Sequence, residues 1–295
     1  MKILSIIGII IILGILVVCQ GTDKGNLKTE SILSIIDTVY SPDSVLIEYE
    51  VSGAGNKALV FIHCWCCDRG YFENQIKFLS PNYKIVAIDL AGHGASGLNR
   101  DEWTVSAYAQ DVATVVNKLG LKDIVLIGHS MGAMVILEAA DLLSGKVRGV
   151  IGIDNYQDFN HDLPPDQIEQ YLTYLNTDFK NNTKIFVKQI FNAQSDSALI
   201  ERISEDMSMS PESVGIESFN NLLHFDYKKA LSRLNIPVRG IHGDMNPTNT
   251  EANKEIYNDF EVVIIPGTGH FPHLEKPELF NQELKKILNE FWNMK

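Results

Sequence analysis

Two hydrophobic rhythms alternate along most of this chain. Continuous apolar runs rich in β-branched residues occupy Ala58–Ile62, Lys84–Ile88, Asp123–Ile127, Val147–Ile153, Pro237–Ile241 and Phe260–Ile265. Runs of that length and kind predict strands buried on both faces. Ser44–Val51 reads as an edge strand. Helical patterns lie between the strands, at about Thr104–Leu119, Met131–Leu143, Thr250–Asn258 and Pro277–Asn293. Strand and helix in alternation predict an α/β fold, with a mainly parallel sheet flanked by helices.

One stretch breaks the rhythm. From about 155 to 233 no strand run occurs. Pro164-Pro165 is followed by amphipathic segments such as Gln167–Leu175 and Lys184–Phe191. The stretch is too apolar for a solvated linker, so it predicts a helical insertion between two strands. Tyr156, Phe159, Tyr171, Tyr174, Phe191, Met207 and Met209 either line an apolar pocket there or form the insertion's own core.

The N-terminus has its own pattern. Ile3 to Cys19 is almost unbroken apolar sequence, preceded by Lys2 and followed by Gln20-Gly21-Thr22-Asp23-Lys24. This predicts an export signal or an uncleaved membrane anchor over residues 1–20. Leu16-Val17-Val18-Cys19 resembles the lipobox of bacterial lipoproteins, which implies lipidation of Cys19, although Val18 stands where that family has Gly, Ala or Ser. Residues 21–36 then read as a tether, and 37–295 as the folded domain. The expected location is outside the cell and membrane-attached, by a lipid or by a single N-terminal anchor.

Composition narrows the partners. Lys and Arg total 25 against 37 Asp and Glu, a net charge of −12. Nucleic-acid binding needs basic patches, so it is excluded as an expectation. Cys64, Cys66 and Cys67 lie together without a second ligand pair at zinc spacing, so no metal is implied. A disulfide between Cys64 and Cys67 closes a very short loop. The expectation is small side chains lining a crowded loop.

The chemistry concentrates at Gly128-His129-Ser130-Met131-Gly132, between a predicted strand and a predicted helix. This is the G-x-S-x-G turn that exposes a nucleophilic serine. A serine needs a base. His270, on the loop Pro266-Gly267-Thr268-Gly269-His270 after the last strand, is the candidate. His273 is the next choice, while His63 and His129 read as loop-packing residues. Asp89 and Asp111 read as structural.

With these residues in view, the chain from about Ile47 to Trp292 resembles the α/β-hydrolase superfamily. The matching stretches are His63-Cys64-Trp65, Asp89-Leu90-Ala91-Gly92-His93-Gly94-Ala95-Ser96, Gly128 to Gly132, and Gly269 to Pro277. The resemblance implies that the helical insertion is a cap over the active site. It implies an oxyanion hole from the N–H groups of Met131 and Trp65, with Cys64 standing where relatives carry glycine. The third triad member stays open. Relatives read Gly-x-x-Asp after the seventh strand, but here Asn246 falls at that place. Asp154, ending the sixth strand, and Asp244 are the two candidates.

The resulting expectation is a serine hydrolase acting on a small-molecule ester-type bond, a carboxylic ester or lactone, without a cofactor. Perhydrolysis by the same residues stays open, whereas Ser130 as nucleophile speaks against dehalogenase and epoxide hydrolase chemistry. The alternative is a catalytically silent ligand-binding or receptor-like protein on the same fold.

Overall fold

A computed structural model of the chain describes residues 34–160 and 162–294. The expectations for residues 1–20, for Cys19 and for the tether up to Leu33 lie outside those residues. In order, the elements are β1 (Ser34–Tyr40), β2 (Leu46–Ser52), β3 (Ala58–Ile62), α1 (Glu73–Leu79), β4 (Lys84–Ile88), α2 (Val105–Lys118), β5 (Ile124–His129), α3 (Met131–Leu142) and β6 (Val147–Ile153). Five helices follow: α4 (Pro165–Thr177), α5 (Phe179–Gln189), α6 (Ser197–Met207), α7 (Glu212–Leu223) and α8 (Tyr227–Leu231). Then come β7 (Val238–Gly243), α9 (Thr250–Ile256), β8 (Phe260–Ile265), α10 (Pro272–Glu275) and α11 (Pro277–Asn293).

The strands form one sheet in the order β1-β2-β4-β3-β5-β6-β7-β8. β1–β2 and β2–β4 pair antiparallel and every other neighbour is parallel. The apolar runs explain the layering. Along β3, Val60 and Ile62 join one core with α2 and α3, while Leu59 and Phe61 join a second core with α1 and α11. β5 divides in the same way, Leu126 on one face and Ile127 on the other. Successive strand side chains point to opposite faces, so a strand covered on both must be apolar throughout. Each such side chain contributes about 1.5–3 kcal/mol by burial.

Two expectations need correction. Ser44–Val51 is not the sheet edge, because β1 pairs outside it from Ser34 to Tyr40. Ser34–Ile36, expected as the end of the tether, belong instead to β1 and the fold. β1 carries no sequence signature because most of it is exposed and shows no apolar alternation.

The insertion between β6 and β7 is helical, as its pattern predicted. Aspartates punctuate it: Asp178, Asp196 and Asp226 each accept a backbone N–H at the start of α5, α6 and α8. Such caps satisfy amide donors that a helix start leaves unpaired. Among the described residues no helix is long and apolar enough to cross a membrane.

Candidate active site

Ser130 sits between β5 and α3 with φ 50° and ψ −116°. A non-glycine residue in that region is strained, and the surroundings must enforce it. The two neighbouring glycines show how. A Cβ on Gly128 would lie 2.2 Å from the Gly132 carbonyl oxygen, and one on Gly132 would lie 2.2 Å from the Ile62 oxygen of β3. Only glycine lets the turn close this tightly against the sheet.

His270 lies beyond β8. Its N–H donates to the Ile190 carbonyl at 2.8 Å, and its own carbonyl accepts from His129 Nε2 at 2.7 Å. Its Nδ1 donates to Asp154 Oδ2 at 2.7 Å. Asp154 directly follows β6, with φ 45°, and is 4% exposed. Its other oxygen accepts the Gly243 N–H at 2.9 Å. Burial pushes the Asp154 carboxyl up. The hydrogen bond and charge of His270, with the Gly243 N–H, outweigh it and hold the group below the ordinary carboxylate range. An ionised Asp154 keeps the proton on Nδ1 and leaves Nε2 free to act as a base.

Asp244 takes a different place. It is exposed, and its carboxylate accepts the backbone N–H groups of Gly267 at 2.8 Å and Thr268 at 3.2 Å. It grips the loop that carries His270 and does not meet the imidazole. Asn246 lines the cavity described below.

Five other histidines, His63, His93, His129, His242 and His273, are buried and behave as packing groups. Burial pushes His63 and His242 down to about 4, and His93 and His273 to about 3, with His129 also far below its usual value. Asp89 pairs with Arg69, and Asp111 with Arg100 at 2.6 Å, both structural contacts.

Met131 is the first residue of α3, so its N–H is one of the unpaired donors at a helix start. The Trp65 N–H makes no backbone hydrogen bond among the described residues. The Trp65 side chain reaches into the insertion: Nε1 donates to the Gly215 carbonyl at 2.7 Å, and the ring packs against Phe179, Phe186 and Phe219. The expectation for the cysteines is overturned in part. Cys64 and Cys67 form a disulfide, with Cα atoms 5.3 Å apart, and Cys66 is free and buried. That separation lies within the usual disulfide range, which the turn between them makes possible.

Ser130, Asp154, His270, Cys64 and Trp65 all line one cavity of about 390 Å³. Its apolar wall comes mostly from the insertion: Phe186, Ile190, Met207, Phe219, Leu222 and Phe225. Of the insertion residues singled out in the sequence, only Met207 lines it. Tyr156 and Phe159 are buried beneath, Phe191 stacks on Phe271, and Tyr171, Tyr174 and Met209 are exposed. Phe186, Phe219 and Leu222 follow the apolar stripes of α5 and α7, which was the available signal. Among the described residues no group of His, Cys, Asp and Glu could hold a metal ion.

Residues 57–277 match the alpha/beta hydrolase fold family, and the chain belongs to it. By family it is a hydrolase of the α/β-hydrolase type. It is similar to the karrikin insensitive 2 receptor IA of Petunia hybrida, 22% identical over 79% of this chain and 91% of that protein. It is also similar to the pimeloyl-[acyl-carrier protein] methyl ester esterase of Wigglesworthia glossinidia brevipalpis, 24% identical over 82% and 98%. Among solved structures, the esterase EaEST from Exiguobacterium antarcticum shares the fold, with TM-score 0.75 and 20% identity over 85% of this chain and 98% of that one.

Proposed function

We propose that this protein is a serine hydrolase that cleaves a carboxylic ester or lactone through an acyl-enzyme. The observation that carries the proposal is the 2.7 Å contact of His270 Nδ1 with Asp154, in the cavity that the strained Ser130 also lines. In this reading Ser130 attacks the ester carbonyl while His270 Nε2 takes its proton. Asp154 fixes the imidazole and stabilises its charge once protonated. The N–H groups of Trp65 and Met131 hold the developing oxyanion, each donor worth about 3–4 kcal/mol at the transition state. His270 then protonates the leaving alcohol and activates water against the acyl-enzyme. The apolar wall supports an ester with an apolar acyl or alcohol part, and the helical insertion acts as the cap that supplies it.

We further propose export and membrane attachment through residues 1–20, with a lipid on Cys19 or an apolar helix as the anchor. The disulfide adds to the apolar N-terminal run, since such bonds persist chiefly in oxidising compartments.

A receptor-like reading is the second choice, favoured by the likeness to the Petunia receptor. A fluorophosphonate probe separates the two. Wild type should label and Ser130→Ala should not. An unlabelled, folded wild type would leave the receptor-like reading standing.

A further inference from the structure

Glu275 ends α10 and does not touch the imidazole, yet its carboxylate gathers the backbone on both sides of His270. Oε1 accepts the Gly269 N–H at 2.9 Å and the Phe271 N–H at 3.2 Å. Oε2 accepts the Gly269 N–H at 3.1 Å and the hydroxyl of Ser195. Ser195 belongs to the insertion, on the segment joining α5 to α6. The same segment meets the loop at three further places. Ile190 accepts the His270 N–H at 2.8 Å. Phe191 stacks on Phe271 with ring centres 4.9 Å apart. A Cβ on Gly269 would lie 2.5 Å from the Ile190 oxygen, so the two backbones are in direct contact.

We infer that Glu275 is a positioning residue that ties the helical insertion to the loop carrying His270. A carboxylate offers about four lone-pair sites, and here they serve two loop amides and one insertion hydroxyl. Movement of the Ile190–Ser195 segment therefore shifts the backbone of His270 itself. Placement errors of about 1 Å cost roughly 100-fold in rate. Asp244 holds Gly267 and Thr268 on the core side, so only the half of the loop around His270 follows the insertion. The inference rests on the serine hydrolase reading for its kinetic readout, and has a second readout that does not.

The test uses the full chain, with p-nitrophenyl acetate turnover normalised to sites titrated by a fluorophosphonate. Glu275→Ala should lower kcat per titrated site about 100-fold with KM within about threefold. Glu275→Gln, which keeps one acceptor oxygen, should recover about tenfold of that loss. In amide hydrogen exchange, Glu275→Ala and Ser195→Ala should each speed exchange over both 190–195 and 269–271. A purely structural glutamate gives fewer titratable sites with normal kcat per site, and that result overturns the inference. Unchanged protection in either segment overturns it too, even if wild type carries no titratable serine, an outcome that instead removes the hydrolase reading.

Discussion

Asp154 stands at the end of β6, yet its carboxylate meets His270, whose loop follows β8, at 2.7 Å. β7 lies between the two strands, and its terminal Gly243 bridges the gap. The Gly243 N–H donates to Asp154, and a Cβ at Gly243 would lie 2.2 Å from the Gly269 oxygen. The carboxylate thus reaches the histidine across a strand end stripped of side chain. Asn246, at the place where the resemblance led an acid to be expected, lies on the cavity wall.

This relationship gives a clear order of effects. Asp154→Asn should lower kcat about 10⁴-fold, because an amide neither fixes the tautomer nor balances the imidazolium. Asp244→Asn should cost under tenfold, since it weakens a loop grip and leaves the imidazole partner intact. Asn246→Asp in the Asp154→Asn background should restore part of the rate. Steady-state kinetics on the four proteins decides it, and equal losses for both single variants would refute the assignment.

Acid stability follows from the buried histidines. Their folded values, about 4 for His63 and His242 and about 3 for His93 and His273, lie below the unfolded value near 6.5. Between pH 6.5 and 4 the unfolded chain therefore binds more protons than the folded one. Stability falls as pH drops through that window, by up to about 1.4 kcal/mol per pH unit for each histidine. Asp154 has a depressed folded value, so its contribution is present above about pH 4 and is lost only below it. Calorimetry should show Tm falling steadily from pH 7 to 4.5, with a shallower slope in His273→Phe. A flat Tm over that range would contradict the assignment of neutral buried imidazoles.

Much of the fold and of the candidate site is legible in the sequence alone. The two-sided strands announced themselves because a strand covered by helices on both faces has no polar option. Ser130 announced itself because its turn tolerates only glycine at 128 and 132. Other features depend on distant pairing and left no local mark. Asp154 and Asp244 both follow a strand, and only the sheet order tells which one faces His270. β1 is an exposed edge strand, so burial never imposed a pattern on it. Glu275 lies in the stretch Gly269–Pro277, but nothing local in the sequence ties it to Ser195, 80 residues away.

The Cys64–Cys67 disulfide brackets Trp65, so reducing it should affect rate and stability together. In the chain-entropy treatment, a loop this short gains only about 2 kcal/mol from the bond. Cys64→Ser with Cys67→Ser should accordingly lower Tm by a few degrees. The larger effect should fall on kcat, roughly tenfold, because the N–H proposed to hold the oxyanion loses its restraint. KM should change little. Dithiothreitol should reproduce both effects in wild type and neither in the double variant. Full retention of kcat after thiol counting shows three free thiols among residues 64–67 would separate the disulfide from the chemistry.

Substrate size should be set by the insertion, because it supplies the apolar wall opposite Ser130. Phe219 packs on Trp65 with ring centres 5.1 Å apart and also faces the cavity. Leu222 lines the same wall one helical turn on. Leu222→Trp adds bulk to a cavity of about 390 Å³ and should shorten the preferred acyl chain of p-nitrophenyl esters. The change should raise KM for hexanoate about tenfold and leave acetate turnover within about threefold, since one or two lost methylene contacts are worth 1–3 kcal/mol. Phe219→Ala should do more than enlarge the pocket. It also removes a neighbour of Trp65, so kcat on acetate should fall as well. A chain-length profile on the two variants separates the wall from the oxyanion loop: Leu222→Trp should move only the length preference, and Phe219→Ala should move both. If neither variant alters the profile, the acyl group lies elsewhere and the insertion does not select it.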